Sequence, residues 1–314
     1  MTFYLTGYDG RRWELPEALS WTLSYGTGTP CDSFEVRCPW GTAVDGALSD
    51  AVEFTAVEGG EVRFRGRVDE YELTWDMDGC ALEVSGRGMA ALLLDNEAES
   101  ADYQVATLED ILRDHVAPYG IRVAEKADFP AVPGFSVESG ESEWLVLRSF
   151  VRYYGGVEPR FDRTGALVLA PWGAQRRLAL DNETAALTWR WREERYGALS
   201  EVLVRDRVRK TTQTVRDEEF YRRGGRCRRV ITMPGRSTGD AMRYSGAYQI
   251  AEAKKGRLAL EVTVSGTFAA WPGEEVDLAR DTPALTGAWR VVRAESRMGM
   301  DGGSTRLTLE RRED

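Results

Sequence analysis

Short runs of alternating polarity, cut by turn signals about every ten residues, constrain this chain more than anything else in it. In the first 95 residues the turns are Tyr8-Asp9-Gly10, Gly26-Thr27-Gly28, Pro39-Trp40-Gly41, Gly59-Gly60 and Asp78-Gly79. Between Glu61 and Val68, Val62, Phe64 and Val68 fall on one side of a strand and Arg63, Arg65 and Arg67 on the other. Period-two alternation puts one face in a core and the other in water. Gly66 sits at an inward position, which a bend or a close backbone approach explains. Tyr71–Trp75 and Ala81–Ser85 flank Asp76-Met77-Asp78-Gly79, and the Asp-Gly step there predicts a hairpin. Strands this short and this evenly spaced predict a small antiparallel barrel or sandwich.

The pattern changes between about 88 and 185. Thr107-Leu-Glu-Asp opens a helix with a capping box; Leu108, Ile111, Leu112 and His115 follow at helical spacing, and Pro118 and Gly120 stop it. A second helix starts at Ser142, carries the stripe Leu147, Phe150, Val151 and Tyr154, and ends at Gly155-Gly156. A hairpin over Val157–Phe161 and Ala166–Ala170 completes a small α+β unit, in which strands and helices do not alternate as a parallel sheet requires.

Strands return near Val202, Val204 and Val208, and at Leu258–Val264, Glu274–Ala279, Ala288–Ala294 and Thr305–Glu310. A third helix interrupts them. Its predicted apolar stripe is Ala241, Tyr244, Tyr248 and Ala251, with Lys254, Lys255 and Gly256 at its end. This part echoes the first. Val52-Glu53-Phe54, Phe64-Arg65-Gly66-Arg67-Val68, Met77-Asp78-Gly79 and Leu82-Glu83-Val84 recur in order as Val276-Asp277-Leu278, Leu285-Thr286-Gly287-Ala288-Trp289, Met300-Asp301-Gly302 and Leu307-Thr308-Leu309. The expected fold is therefore a β-rich α+β chain. Two related antiparallel β-barrel domains, 1–95 and 189–314, flank and interleave with a small α+β domain at 96–188. The second barrel carries a helical and loop insertion at about 215–256.

Composition excludes several functions. The chain of 314 residues has a net charge of −10, which argues against general affinity for nucleic-acid backbones. No run approaches the roughly 18 apolar residues of a membrane span, and Met1 to Gly10 lack the basic-then-apolar pattern of a secretory signal. Cys31, Cys38, Cys80 and Cys227 are too few for a disulfide framework, and one histidine does not complete a usual zinc set. Reduced, structural cysteines made in a cytoplasm are expected.

Several stretches imitate active sites. Gly235-Arg236-Ser237-Thr238-Gly239 spells a nucleophile elbow, but the sole histidine, His115, precedes the serine instead of following it. Gly86-Arg87-Gly88-Met89-Ala90-Ala91 imitates a dinucleotide fingerprint at the end of an antiparallel meander, where no parallel unit presents a helix N-terminus. Glu138 with Glu141 or Glu143 would serve a glycosidase, yet 51 acids make such pairs common and Ser142 marks a helix cap. No catalytic residue, cofactor site or metal site is assigned.

The strongest charge feature is basic: residues 205–229 hold ten Lys and Arg against four acids. A solvated hairpin is its plainest reading. Arg222, Arg223, Arg226, Arg228 and Arg229 are the candidate contacts to a carboxylate-rich partner. With only Phe220 and Tyr221 interleaved, nucleic acid is the weaker option.

The order of parts resembles the hub proteins of contractile phage-tail baseplates, the late-control-D-like group, and most closely those of phage-like tail particles and myophages of Gram-positive bacteria. Phe64-Arg65-Gly66-Arg67-Val68-Asp69 is similar to the family's F-x-G-x-V-D strand, and Val84-Ser85-Gly86-Arg87 to Leu94-Asp95 to its exit from the first barrel. Thr107-Leu108-Glu109-Asp110-Ile111 with Tyr119-Gly120-Ile121, and Ser136-Val137 to Gly140-Glu141-Ser142-Glu143-Trp144 with Arg148 and Gly155-Gly156, resemble its two helices. Asp162 to Gly165-Ala166-Leu167 resembles its hairpin, and Trp271-Pro272-Gly273 its entry to the last strands. The match runs in order along nearly the whole chain. The first thirty residues and the 205–229 segment depart from it.

The resemblance implies a structural, non-enzymatic hub: a homotrimer joining the hexameric tail tube, or a tube-initiator protein, to the trimeric central spike. It would be made in the host bacterial cytoplasm and assembled into the baseplate with other baseplate proteins. No membrane insertion and no sequence-specific nucleic-acid binding are expected. The rival reading is a carbohydrate-binding or peptidoglycan-hydrolysing tail-associated β-protein, prompted by 10 tryptophans and many acids. Trp75, Trp144, Trp189, Trp191 and Trp289 lie in predicted strands or helices and are more simply core or interface anchors.

Overall fold

The protein's computed structural model describes residues 1–28, 32–41, 46–77, 79–172, 176–180, 186–194, 196–233, 239–254, 258–278, 285 and 287–311. The first part contains β1 (Thr2–Gly7), β2 (Arg12–Glu14), β3 (Ser20–Gly26), β4 (Ser33–Pro39), α1 (Gly46–Asp50), β5 (Ala51–Glu58), β6 (Glu61–Asp76) and β7 (Gly79–Gly88). The middle contains α2 (Ala91–Leu94), β8 (Ala101–Ala106), α3 (Leu108–His115), β9 (Val123–Lys126), β10 (Val132–Val137), α4 (Glu143–Gly155), β11 (Arg160–Phe161) and β12 (Leu167–Leu169). The last part contains β13 (Arg177–Leu180), β14 (Ala186–Glu193), β15 (Glu201–Asp206), β16 (Thr211–Arg216), α5 (Glu218–Arg222), β17 (Arg228–Thr232), α6 (Gly239–Lys254), β18 (Leu258–Ser265), β19 (Glu275–Leu278), β20 (Gly287–Gly299) and β21 (Gly302–Arg311).

The two expected barrels are not separate closed barrels. Thirteen strands from both ends of the chain form one sheet, in the order β14-β18-β21-β20-β3-β4-β7-β6-β5-β1-β2, with β13 and β19 running off β20. The join is the antiparallel pair β20 and β3, which sets Ala294 opposite Tyr25 and Met298 opposite Trp21. Because strand edges pair wherever backbone donors and acceptors meet, the halves share hydrogen bonds instead of each closing on itself. They also share one core: Phe3, Phe34, Phe54 and Phe64 from the first part pack in the same cluster as Val276, Trp289, Leu307 and Leu309 from the last. At its centre Phe34 stacks on Phe54 with ring centroids 3.8 Å apart.

The alternation between Glu61 and Val68 holds, with Phe64 and Gly66 buried and Arg65 exposed. Gly66 is a close approach: a Cβ there would lie 2.2 Å from the Arg87 carbonyl oxygen. Gly86 mirrors it, its Cβ falling 2.0 Å from the carbonyl oxygen of Arg67. Asp78 of the predicted hairpin lies outside the described residues, but Asp76 and Gly79 pair across it.

The middle packs α3 and α4 with β8 and β10 around Ile111, Leu147, Phe150 and Leu167. Thr107 caps α3 in a full capping box with Asp110, and Gly120 takes a left-handed φ of 67° after the following turn. Ser142 caps α4 by accepting from the Leu145 N–H, and Gly156 ends that helix at φ 64°. The side chain of Tyr154, the last member of the predicted stripe, lies outside the described residues. The unit is not wholly antiparallel, since β9 and β12 pair in parallel across the crossover that contains α4.

The third part adds a sheet ordered β16-β15-β17, covered by α6. Here two expectations change. The face that α6 buries carries Met242, Gly246 and Ile250, while Tyr244 is 72% exposed and Ala251 is exposed. The reason is a close crossing: a Cβ on Gly246 would lie 2.5 Å from Val215 Cγ2, so the helix sits on the sheet through a residue with no side chain. Val208 does not continue the row of Val202 and Val204. Its N–H, with that of Arg209, donates to Asp206 Oδ1, which ends the strand. Lys255 and Gly256 lie outside the described residues, as do Pro234 to Thr238 of the elbow-like sequence.

Candidate functional site

Three places concentrate polar chemistry or exposed edges. The first is the arginine-rich segment. Strand β15 is central in its sheet, so Glu201 on it meets strands from both sides: it pairs with Arg216 of β16 and Arg228 of β17. Arg216 Nε donates to Glu201 Oε2 at 2.5 Å, and Arg228 Nε donates to Oε1. The Arg216 hydrogen bond, then that of Arg228, holds the Glu201 carboxyl below its ordinary range. Arg229 points to the α6 side and donates to Gln249 Oε1 at 2.8 Å.

The remaining candidates cluster around α5. Arg226 donates to the Tyr221 carbonyl at 2.7 Å and lies over the Tyr221 ring at 4.1 Å. Arg216 lies over the same ring at 4.8 Å. Arg222 Nε reaches the Glu218 carbonyl at 3.2 Å, and Arg223 pairs with Glu219 at 2.6 Å with both side chains exposed. The structure thus divides the five. Arg228 joins β17 to Glu201 of β15 and Arg229 joins the small sheet to α6, whereas the side-chain contacts of Arg222, Arg223 and Arg226 stay within the corner around α5; all five are exposed.

The second place is a buried polar knot in the middle part. His115 Nδ1 lies 2.6 Å from Glu143 Oε2, and both residues are buried. Tyr119 donates to Glu143 Oε1 at 3.0 Å, and the Tyr103 hydroxyl lies 3.1 Å from His115 Nε2 while donating to Asp114 at 2.9 Å. Burial, then the Asp114 contact, pushes the Tyr103 phenol up to about 12. Nothing in the sequence links His115, at the end of α3, to Glu143, at the start of α4. Their meeting depends on how the two helices pack. Every polar end of the knot is occupied by a neighbouring side chain, so its evident work is to fix α3 against α4. Glu138 and Glu141, weighed beside Glu143 as an acid pair, stay near the surface.

A cleft lies next to this unit, between the large sheet and the middle part, lined by Asp32, Glu125, Arg160, Arg163, Trp172 and Trp271. Arg160 stacks on Trp172 at 3.9 Å and Arg163 on Trp271 at 4.7 Å. Asp32 accepts from the Gly26 N–H at 2.8 Å, and burial pushes its carboxyl up to about 6. Opposite charges and stacked rings across the cleft tie the two parts together.

The third place is the sheet edge. Strand β14 is the terminal strand of the large sheet and exposes Leu187 and Trp191. Strand β6 outruns its partner β5: their register stops at Arg67, and among the described residues the later part pairs with β7 alone. That stretch exposes Tyr71 and Trp75, the latter at 56%. Trp144 and Trp289, by contrast, are core residues.

Among the described residues no group of His, Cys, Asp or Glu is placed to hold a metal ion, and no helix is long and apolar enough to cross a membrane. Cys38, Cys80 and Cys227 are free thiols, while Cys31 lies outside the described residues.

Comparison with known proteins fits this geometry. Residues 90–171, the α3–α4 unit with the knot, match the family model described as the second domain of gp44-like baseplate hub proteins. The baseplate hub protein gp44 of Escherichia phage Mu is 31% identical over 170 residues, which span 52% of this chain and 44% of the Mu protein. The chain therefore aligns with less than half the length of that relative. Along the whole molecule the fold is that of the 43 kDa tail protein of prophage MuSo2 from Shewanella oneidensis. The two share 18% identity and a TM-score of 0.81, covering 99% of this chain and 98% of that one. An Escherichia coli type VI secretion component, described as structurally similar to the bacteriophage T4 tail proteins gp27 and gp5, has 14% identity and a TM-score of 0.62 over 95% of this chain and 74% of its own. The chain is similar to baseplate hub proteins, and its residues 90–171 match the second domain of the gp44-like group.

Proposed function

We propose that this chain is the structural hub of a contractile-tail baseplate, a homotrimer that adapts a hexameric tail tube to a trimeric central spike. One observation carries the reading. Taken in sequence order, the six strands β1, β3, β4, β5, β6 and β7 lie side by side in the order first, fourth, fifth, sixth, third, second. The six strands β13, β14, β18, β19, β20 and β21 lie side by side in the same order. All corresponding neighbours are antiparallel except at the outermost pair, where β1 meets β5 antiparallel and β13 meets β19 in parallel. A chain with two like-ordered modules, taken three times, offers six similar surfaces around one ring and three around another. That is the symmetry a tube-to-spike joint needs.

The reading divides the chain at 1–95, 96–188 and 189–314 into first module, middle unit and second module. The small sheet and helices inside the last segment serve as an outward attachment, and β13 is lent to the second module from the middle segment. Arg222, Arg223 and Arg226 then form a basic corner for an acidic surface on a neighbouring baseplate protein, because guanidinium forks pair with carboxylates in two-point contacts. The chain is made in the bacterial host and works within the assembled particle. The similarity to hub and tail proteins favours this over carbohydrate hydrolysis, for which the acids Glu138 and Glu141 form no buried pair. Light scattering of the purified chain, followed by a reconstruction of a tail tip, tests the reading: three copies ringed between tube and spike are expected, and a single copy off the axis overturns it.

A further inference from the structure

The seam between the two halves predicts a second seam between copies of the chain. Within one chain, β20 bends away from β19 after Arg290, and its second half pairs with β3. The module-equivalent of β20 is β6, and the equivalent of β3 is β14. Among the described residues the second half of β6 pairs only with β7, and β14 is a terminal strand. The chain therefore contains one complete joint, and both halves of the same joint once more, each on the outside. β14 is the first strand of the sheet order, β6 lies within it, and among the described residues of one copy the two do not pair.

The register follows from the equivalence. Counting back from the hairpin glycines Gly79 and Gly302, Tyr71, Leu73 and Trp75 occupy the places of Ala294, Ser296 and Met298. Counting across the sheets, Val84 pairs with Val36 and Val36 with Trp21, while Leu307 pairs with Val262 and Val262 with Trp189. Trp21 and Trp189 thus hold the same position, as do Leu23 and Trp191. The inner seam sets Met298 opposite Trp21, Arg297 opposite Thr22, Ser296 opposite Leu23 and Glu295 opposite Ser24. Transferred, it sets Trp75 opposite Trp189, Thr74 opposite Arg190, Leu73 opposite Trp191 and Glu72 opposite Arg192.

We propose that Glu70–Trp75 of β6 in one copy pairs antiparallel with β14 of a second copy in this register, Trp75 on Trp189 and Glu72 on Arg192. The proposal rests on the trimeric reading above and supplies its contact. Two observations independent of the duplication favour it. The apolar row of each strand is exposed where a soluble edge strand is ordinarily blunted: Trp75 is 56%, Leu187 63% and Trp191 39% exposed. On the polar rows Glu72 falls directly opposite Arg192, and Glu70 and Asp76 lie diagonal to Arg192 and Arg190, while Glu70 stands opposite Glu194, whose carboxylate is 3.7 Å from Arg192 within one copy. Opposite charges directly across an antiparallel pair stabilise it, and like charges oppose it.

The test compares wild type with Glu72→Arg, Arg192→Glu and the double variant by sedimentation over a concentration series. Each side chain is exposed, and unchanged thermal midpoints verify the folds. A three-copy species is expected for wild type. Each single reversal raises the half-assembly concentration by roughly two- to tenfold across three seams, and the double variant recovers wild-type assembly. Trimers indifferent to the single reversals, or a double variant no better than either single, overturn the register and leave the trimer standing. A wild-type chain that stays single at every concentration overturns the trimeric reading and this contact with it.

Discussion

Asp69 and Val292 hold the same station in the two halves of the chain. Each is the extra residue of a β-bulge, ten positions before a hairpin glycine, Gly79 in one case and Gly302 in the other. A bulge bends and further twists the strand that carries it. In β20 the bend swings the second half away from β19 and onto β3. In β6 the same bend carries this stretch off the edge of β5, with Tyr71 and Trp75 in solvent and Leu73 partly buried against the core. One local irregularity, repeated, thus makes a seam in one half and a bare edge in the other.

The glycine pair beside that bulge is a packing requirement. Gly66 and Gly86 each face a carbonyl oxygen 2.2 and 2.0 Å from where a Cβ would stand. Replacing Gly86 by Ala forces β6 and β7 apart and costs on the order of 3 kcal/mol, read as a drop in the denaturant midpoint. Gly59→Ala, at a turn with nothing near its Cβ but a φ of 59°, costs less, about 1 kcal/mol.

The polar knot is expected to be a stability element. Glu143→Gln exchanges a charge-assisted contact with His115 for a neutral one inside the core and lowers unfolding free energy by about 2 kcal/mol. Tyr119→Phe, which removes one donor to the same carboxylate, costs about 1 kcal/mol. Chemical denaturation monitored at tryptophan measures both, and equal, negligible effects would show that α3 and α4 are held by apolar packing alone.

Asp32 makes stability depend on pH in a stated direction. Its carboxyl is raised from 3.8 to about 6 by burial, so the folded chain binds this proton more tightly than the unfolded one. The contribution is fully present below about pH 3.8 and is lost as pH rises through about 6. Asp32→Asn keeps an acceptor for the Gly26 N–H and removes the titration. The variant is therefore expected to gain about 2 kcal/mol on wild type at pH 7.5 compared with pH 4. Thermal melts of the two proteins across that range decide it.

The basic corner is expected to matter for association and not for folding. Arg222→Glu with Arg223→Glu alters exposed side chains whose present contacts are local, so the unfolding midpoint moves by less than about 0.5 kcal/mol equivalent. Binding to an acidic baseplate neighbour weakens, and the wild-type affinity falls with added salt while that of the variant does so less steeply. A titration at two salt concentrations checks both.

Particular residues mark how far the sequence could be read. Thr107 with Asp110, Ser142, Gly120 and Gly156 declare their helix ends, since a cap is a contact across three or four positions. Phe64 and Gly66 declare their inward face in the same local way. The buried face of α6 was not legible, because its contact residue, Gly246, has no side chain for an apolar count to register. The exposed position of Tyr244 follows from that. The pairing of His115 with Glu143 had no signal either, because neither residue lies in a pattern that depends on the other.

The amino-acid sequence by itself determined most strands, turns and caps and the order of the parts. Each of these is carried by alternation, spacing or motif within a short window. Its echo between the chain's two ends sets Gly66 against Gly287, two places from Trp289, which holds the station of Gly66 when both are counted back from the hairpin glycines. Only the tertiary structure decided that the two ends share one sheet and one core, that β3 docks on β20, and that Trp75 and Trp191 remain outside. Ser24 and Arg293, which meet at that join, are 269 positions apart. Backbone donors and acceptors are the same for every residue, so the choice of partner strand rests on which edges the finished packing leaves side by side.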